Sequence, residues 1–382
     1  MILMKKNLLT GISLLLVAAA LCCSCTVNAA TTKTQTGTAR PVSIPKKTTA
    51  KSTKTQASTS KSTTQAATKS TPQAQPKAAA VSTSGYQNVV TWGKKHGMRA
   101  AWTQKNKTLR LSNDSTTIVL NIGARHASIN NIKIALCQNV KMSGGNVLVS
   151  TQDINTALEA ITNPRKNAVR IVAIDPGHGG SQPGAKHSGK AEKDITLLIA
   201  KEVRTLLQNK GVKVVMTRTT DRTMDLKTRP QIAAQNHADI FVSIHLNAAS
   251  ADANGAEVFT TTPAGAQSTT PDSGSTAATR GNKNDAANAL LAYHIQRQLV
   301  QKVQFSDRGV KRKRLGVLYD TTMPAVLVEA GFISGSKDQK KLFSAAERSK
   351  IAKAIAEGIL SYKKTVESVK PTPTKSNTAG KP

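Results

Sequence analysis

Acidic side chains are scarce in this 382-residue chain. Twenty-one Asp and Glu stand against 54 Lys and Arg, a formal net charge of +33. An excess of that size points to an anionic partner: nucleic acid, a membrane surface or an anionic polymer. Aromatic residues are scarce too, with two Trp, four Tyr and five Phe, which argues against a stacking platform for single-stranded nucleic acid. Cysteine is nearly missing. Cys22, Cys23 and Cys25 lie near the start and only Cys137 lies beyond residue 30, so a chain shorn of its first residues can form no intramolecular disulfide. Cys137 ends the apolar run Ile134-Ala135-Leu136-Cys137 and reads as a buried, inert thiol. The longest hydrophobic run, Leu8 to Leu21, is interrupted at Thr10, Gly11 and Ser13. It is short for a spanning helix, which needs ~20 apolar residues.

That run follows Lys5 and Lys6 and precedes Thr26-Val27-Asn28-Ala29-Ala30. A basic segment, an apolar segment and a small-residue cleavage site make a secretory signal, with residues 1–29 removed after Ala29. An uncleaved anchor and a lipoprotein acylated at Cys25 are the alternatives. Export to the periplasm or cell envelope removes nucleic acid from the list of partners. Residues 30–83 hold nine Lys or Arg, no Asp or Glu, and almost no large apolar side chains. They cannot bury enough surface to offset the entropy of ordering. They are expected to form a disordered cationic linker, serving as a solubilising spacer, as electrostatic attachment to an anionic envelope polymer or lipid surface, or as both. Residues 366–382 have a similar composition and are expected to be a disordered tail.

Residues 84–162 read as a small α+β domain. Tyr86, Val89, Val90 and Trp92 fit a short helix. Strand-like segments follow at 98–102, 108–111, 117–120, 132–136 and 147–149, separated by turns such as Ser143-Gly144-Gly145-Asn146, and a helix closes the unit at 153–161. His96 and His126 are isolated, so no metal site is expected here. The rhythm of short strands and turns loosely resembles the copper amine oxidase N-terminal-like domain of secreted wall enzymes, which implies a binding or positioning role.

From Val169 onward buried strands alternate with helices. Apolar runs at 170–174, 212–216, 239–245, 257–261 and 325–328 lack the alternation of half-exposed strands, and helical periodicity marks 194–208, 230–237, 288–303 and 351–360. The expected fold is α/β, a mainly parallel sheet with helices on both faces. Two histidines, His178 in Asp175-Pro176-Gly177-His178-Gly179-Gly180 and His245 in Asp239-Ile-Phe-Val-Ser-Ile-His245, sit at C-terminal ends of strands, the edge where such sheets build sites. Glu192 opens a helix, and Glu329 ends the strand Ala325-Val-Leu-Val328. Two imidazoles and one carboxylate make a catalytic zinc set with an open position for water. A carboxylate outside that set can serve as base. An acid inside an apolar strand is costly to bury without a purpose.

These stretches, with Pro183-Gly-Ala185, Glu192-Lys-Asp194, Thr217-Arg218, Asp221, Leu226, Arg229, Gly255-Ala-Glu-Val258, Arg308-Gly-Val310, Leu315-Gly-Val-Leu318 and Met323-Pro-Ala-Val-Leu-Val-Glu-Ala-Gly-Phe-Ile-Ser334, resemble the zinc-dependent N-acetylmuramoyl-L-alanine amidases that cleave peptidoglycan in cell separation. The resemblance covers residues 169–363. It implies zinc on His178, Glu192 and His245, Glu329 as general base, peptidoglycan as substrate, and supporting roles for Arg218 and Asn247. It identifies no activator. His187, His237 and His294 fall outside the motifs and receive no ligand role. Some family members mask the zinc with an inserted helix. Here residues 261–284 are rich in Thr, Ser, Gly and Pro and are expected to be a mobile loop. The run Lys311-Arg-Lys-Arg314 either meets stem-peptide carboxylates or is a solvated loop, the latter being preferred. A zinc wall peptidase and a non-catalytic wall-binding protein remain as alternatives.

Overall fold

The computed structural model describes residues 85–272 and 274–370. The signal at 1–29, the linker at 30–83 and positions 371–382 of the tail lie outside the described residues.

The first half opens with β1 (Tyr86–Asn88) and α1 (Val89–Lys95). The short helix expected from Tyr86 begins three residues later. Asn88 caps it, its side-chain oxygen accepting from the amides of Val90 at 2.9 Å and Thr91 at 3.2 Å. A meander follows: β2 (Arg99–Gln104), β3 (Thr108–Ser112), β4 (Thr117–Asn121), β5 (His126–Ile129) and β6 (Ile132–Ala135). β5 escapes a hydrophobicity reading because only Ala127 and Ile129 of its four residues are apolar. What makes the hairpin is the Asn130-Asn131 turn, both residues at positive φ (47° and 66°), as a two-residue type I′ connection requires. Next come β7 (Lys141–Ser143), β8 (Asn146–Ser150), α2 (Thr151–Asp153), a π-helical stretch Ile154–Leu158, and α3 (Glu159–Thr162).

The second half runs β9 (Ile171–Pro176), β10 (Lys186–His187), β11 (Lys190–Ala191), α4 (Glu192–Gln208), β12 (Lys213–Met216), α5 (Thr228–Gln235), β13 (Ile240–Asn247) and β14 (Ala256–Thr260). It closes with α6 (Asp285–Val303), β15 (Asp307–Arg312), α7 (Gly316–Tyr319), β16 (Ala325–Phe332), α8 (Ser336–Phe343) and α9 (Ala345–Glu367). Strands β12, β9, β13 and β16 are parallel neighbours; β14 is antiparallel to β16, and β15 runs parallel to β14. Helices α4, α6 and α9 pack together on one face, and α5 and α7 lie on the other. This is the α/β fold with a mainly parallel sheet that the sequence implied. The tail begins later than expected, because α9 continues through Glu367 and buries Val366.

The two halves share one sheet. Strand order is β12-β9-β13-β16-β14-β15-β6-β5-β4-β3-β2, eleven strands in all. β6 pairs in parallel with β15, Val310 opposite Ile134, and the Lys133 amide donates to Asp307 at 2.7 Å. One continuous core takes in Leu109 and Ile134 from the first half and Val258, Leu291 and Ile355 from the second.

β15 also corrects the reading of Lys311-Arg-Lys-Arg314 as a solvated loop. Lys311 and Arg312 belong to the strand, and Arg312 and Arg314 are only 2% and 6% exposed. Arg312 Nε donates to the Ala135 carbonyl and Nη2 to the Thr156 carbonyl, both at 3.2 Å. A guanidinium can be buried where carbonyls of irregular backbone need donors, and a count of charges along the chain does not reveal those carbonyls. Residues 261–284 are likewise not free. Arg314 Nη2 holds the carbonyls of Pro263 at 3.1 Å and Ala266 at 3.0 Å, and the Thr269 amide bonds Arg312 O at 2.8 Å.

Because sheet and core cross the boundary, residues 85–367 should unfold in one cooperative calorimetric transition. Two resolved transitions would show that the β6–β15 seam does not couple the halves. Arg312→Ala should lower the unfolding free energy by about 2–4 kcal/mol, since it strands buried carbonyls; urea titration measures this.

Candidate metal centre

The site begins with a buried acid. β9 is apolar until Asp175, which is fully buried and accepts from Thr217 Oγ1 at 2.5 Å, Ser243 Oγ at 2.7 Å and Arg229 Nη1 at 2.8 Å. Arg229, from α5, also donates to the carbonyls of Pro176 at 2.9 Å and His178 at 2.9 Å. Arg218, just past β12, donates to Pro176 O at 3.0 Å and Gly177 O at 2.8 Å. Two buried guanidiniums thus grip every carbonyl from Pro176 to His178. They hold His178 at φ 60°, a left-handed conformation uncommon for a residue with a side chain. Gly177 is required for a different reason: a Cβ there would lie 2.4 Å from the His245 ring.

Glu192 is the first residue of α4, where the helix N-terminus favours a carboxylate. Its Oε2 accepts from the Ala185 amide at 2.9 Å and its Oε1 from the Leu246 amide at 3.0 Å. His178 Nε2 lies 3.1 Å from Oε2, and His245 Nδ1 lies 2.9 Å from Oε1. Burial alone would raise the pKa of Glu192. The hydrogen bonds from His178 and His245, and the charge on those rings, overcome that and hold the carboxyl well below its usual range.

One ligand atom from each of His178, Glu192 and His245 falls within 4.8 Å of the other two. Two imidazole nitrogens and one carboxylate oxygen from three separate segments form a set that can hold a metal ion. The space around them is tight: at Gly184, with φ +68°, a Cβ would meet Glu192 Oε2 at 2.5 Å and His178 Cδ2 at 2.6 Å. The two imidazoles keep part of their surface, with side chains 30% and 17% exposed for His178 and His245. Residues 261–284 are anchored to Arg312 and Arg314, at the end of β14 and β15 opposite Glu257.

Glu329 stands one strand away. On β16 it is in register with His245 of β13 on one side and Glu257 of β14 on the other. Its Oε2 is sealed from solvent with no hydrogen-bond partner. Burial first, and then the negative charges of Glu192 and Glu257, push its pKa well above the ordinary carboxyl value, against the opposing pull of Lys313 and Lys311.

Glu257 was not singled out from sequence. It is buried, and it binds Arg308 Nε at 2.8 Å, Lys311 Nζ, and Asn247 Nδ2 at 2.9 Å. The signal that marked Glu329, an acid in an otherwise apolar strand, is equally present in Ala256-Glu-Val-Phe-Thr. Asn247 therefore meets the site through Glu257, whereas Arg218 meets it through the His178 turn.

The remaining histidines lie elsewhere. His187 is in β10 and His237 follows α5. His294 is buried in α6, bonded to Ser361 Oγ at 2.9 Å, and pushed down to about 4 by burial and by the charge of Arg297. His96 pairs with Glu159 at 3.0 Å, and His126 is on β5. Cys137 is buried, and burial pushes its thiol up to about 12, which makes it inert.

Comparison with known proteins gives two family matches. The family described as N-acetylmuramoyl-L-alanine amidase matches residues 172–361, and the copper amine oxidase N-terminal domain matches residues 86–172. The chain is 34% identical over 219 residues to the N-acetylmuramoyl-L-alanine amidase AmiA of Escherichia coli (strain K12), covering 50% of this chain and 76% of that protein. It is 35% identical over 263 residues to the N-acetylmuramoyl-L-alanine amidase LytC of Bacillus subtilis (strain 168), covering 68% of this chain and 46% of that protein. A crystal structure of an N-acetylmuramoyl-L-alanine amidase from Clostridium difficile 630 aligns at 33% identity with a TM-score of 0.44, over 51% of this chain and 97% of the other.

Replacing Asp175 with Asn should destabilise the protein by about 3–5 kcal/mol, because Arg229 would then be a buried charge without its partner. Equilibrium unfolding in urea measures the loss; a change under 1 kcal/mol would mean that the carbonyls alone satisfy Arg229.

Proposed function

The chain belongs to the N-acetylmuramoyl-L-alanine amidase family, and we propose that it hydrolyses the amide between the lactyl group of N-acetylmuramic acid and the L-alanine of the peptidoglycan stem peptide. The observation that carries this reading is the convergence of His178, Glu192 and His245 beside the unpartnered Glu329 carboxyl. His178, Glu192 and His245 would hold zinc, their donor set being one that zinc accepts. Once bound, zinc supplies a Lewis acid for the scissile carbonyl and lowers the pKa of water to about 7.

The chain's own groups do the rest. Glu329 takes the proton from the attacking water and delivers it to the departing nitrogen of L-alanine. A carboxyl that must carry a proton between two steps benefits from raised proton affinity. Burial and the neighbouring Glu192 and Glu257 provide it. Glu257 is itself ion-paired with both Arg308 and Lys311, which sets it apart from Glu329, whose Oε2 has no partner. Arg218 and Arg229 keep the His178 turn fixed throughout, so no reorganisation of that donor is needed as charge develops. The product pair is a glycan freed of its peptide and a peptide with a free L-alanine amine.

Peptidoglycan lies outside the cytoplasmic membrane, in keeping with an export signal at 1–29. Residues 30–83 would tether the enzyme to an anionic envelope polymer or lipid surface. Among the described residues no helix is long and apolar enough to cross a membrane.

Purified protein acting on peptidoglycan should release peptides with a new N-terminal L-alanine, read by mass spectrometry. A zinc peptidase would instead leave new termini within the stem. Glu329→Ala should retain zinc by metal analysis while digestion falls by about 10²–10⁴-fold. Digestion by that variant at the wild-type rate would remove Glu329 from the mechanism.

A further inference from the structure

The face of the sheet that carries Glu257 and Lys311 continues past the catalytic strands onto the first half. Lys311 of β15 is in register with Phe259 of β14, and Val310 with Val258 and Ile134. Side chains alternate along a strand, so Val258, Val310 and Ile134 enter the core while Glu257, Lys311 and Lys133 take the opposite face. Gly309 fixes the geometry at the seam: a Cβ there would meet Lys133 Cβ at 3.1 Å and Cγ at 3.2 Å, so the Lys133 stem lies across it. The same row then runs from Lys133 to Ser128, Val119, Arg110 and Ala101, each in register with the next.

In the second half α5 and α7 lie over this face. On the first half Ala101, Arg110 and Lys133 are exposed, and so is Arg99, two residues before Ala101 on the same side of β2. None of the strands β2 to β6 contains an Asp or Glu. Arg308 and Lys311 share the single carboxylate of Glu257, whereas the side chains of Arg99, Arg110 and Lys133 make no ion pair among the described residues. Five strand spacings separate β14 from β3, about 24 Å.

We propose that this open face is a docking track for an uncleaved peptidoglycan strand, with stem-peptide carboxylates held by Arg99, Arg110 and Lys133 while a neighbouring stem on the same strand enters the site beside Glu329. The inference rests on the amidase reading. Two features select the occupant. The track is continuous with the site, joined to it by backbone pairing. Its charge is complementary to a polymer that carries a carboxylate on each stem, and the hydroxyls and amides of Thr108, Thr117, Ser128 and Asn121 between the cations suit sugar and peptide groups. The chain's own residues 30–83, with nine Lys or Arg and no acid, would be repelled from it. A soluble muramoyl tripeptide, about 10 Å of extended peptide, cannot span from the site to β3, so only the polymer gains from the track.

The test uses the full chain with Arg99→Gln, Arg110→Gln and Lys133→Gln combined, all at exposed positions. With Glu329→Ala added so that nothing is digested, cosedimentation with intact sacculi should weaken fivefold or more relative to Glu329→Ala alone. The charge-keeping set Arg99→Lys, Arg110→Lys and Lys133→Arg should restore it. In the active protein the KM for sacculi should rise by a similar factor with kcat held within twofold, and the KM for a soluble muramoyl tripeptide should not follow it. Sacculus binding within twofold of the parent overturns the proposal. So does a parallel rise in the tripeptide KM, which would place these residues in the site itself. Loss of polyphosphate binding with sacculus binding retained also overturns it, assigning the face to another anion. If the wild-type protein released no L-alanine termini, the amidase reading would fall, and the sedimentation result would still report on the track.

Discussion

The buried ion pair between Asp175 and Arg229 is the contact on which the site depends. Asp175 is the last residue but one of β9, the strand beside the edge strand β12, and three donors converge on it from three other segments. Arg229 is thereby held where it can also grip the carbonyls of Pro176 and His178. A histidine at positive φ is strained on its own. It persists because two guanidiniums and a close-packed Gly177 leave the turn no other arrangement. The energy that fixes His178 thus comes from groups outside the set that could hold a metal.

Three acids then lie within a few strands of one another, and the structure treats each differently. Glu192 is stabilised as an anion by two imidazoles and two backbone amides. Glu257 is ion-paired with Arg308 and Lys311. Glu329, between them, has one oxygen with no partner at all. A carboxyl oxygen sealed from water without a partner is a cost, and carboxyls whose environments push their proton affinities apart, as those of Glu192 and Glu329 do, are the ones that divide acid–base labour. The contrast with its neighbours, more than burial alone, singles out Glu329.

Much of this was legible in the sequence. His178, Glu192, His245 and Glu329 could be named because strand ends and helix starts are readable from apolar runs, and four such ends in one α/β fold share an edge. The elements that were missed share a different property, that their cause lies elsewhere in the chain. β5 depends on the geometry of the Asn130-Asn131 turn. β15 depends on β14 and β6 flanking it, which is why Lys311-Arg-Lys-Arg314 looked solvated when Arg312 and Arg314 are buried against carbonyls more than forty residues away in the chain. The pinning of residues 261–284 follows from the same two arginines. Composition alone reads such a segment as loose, because the groups that hold it are not within it.

The seam between β6 and β15 has a kinetic meaning as well. Modules joined by a tether face each other at an effective concentration that falls with tether length and vanishes when the tether cannot span. Here the joint is a hydrogen-bonded ladder within one sheet, with a buried arginine crossing beneath it. Whatever the first half grasps is presented to the second at one distance and one orientation. Variation in the length of the chain before Tyr86 would leave the spacing between the first half and Glu329 untouched.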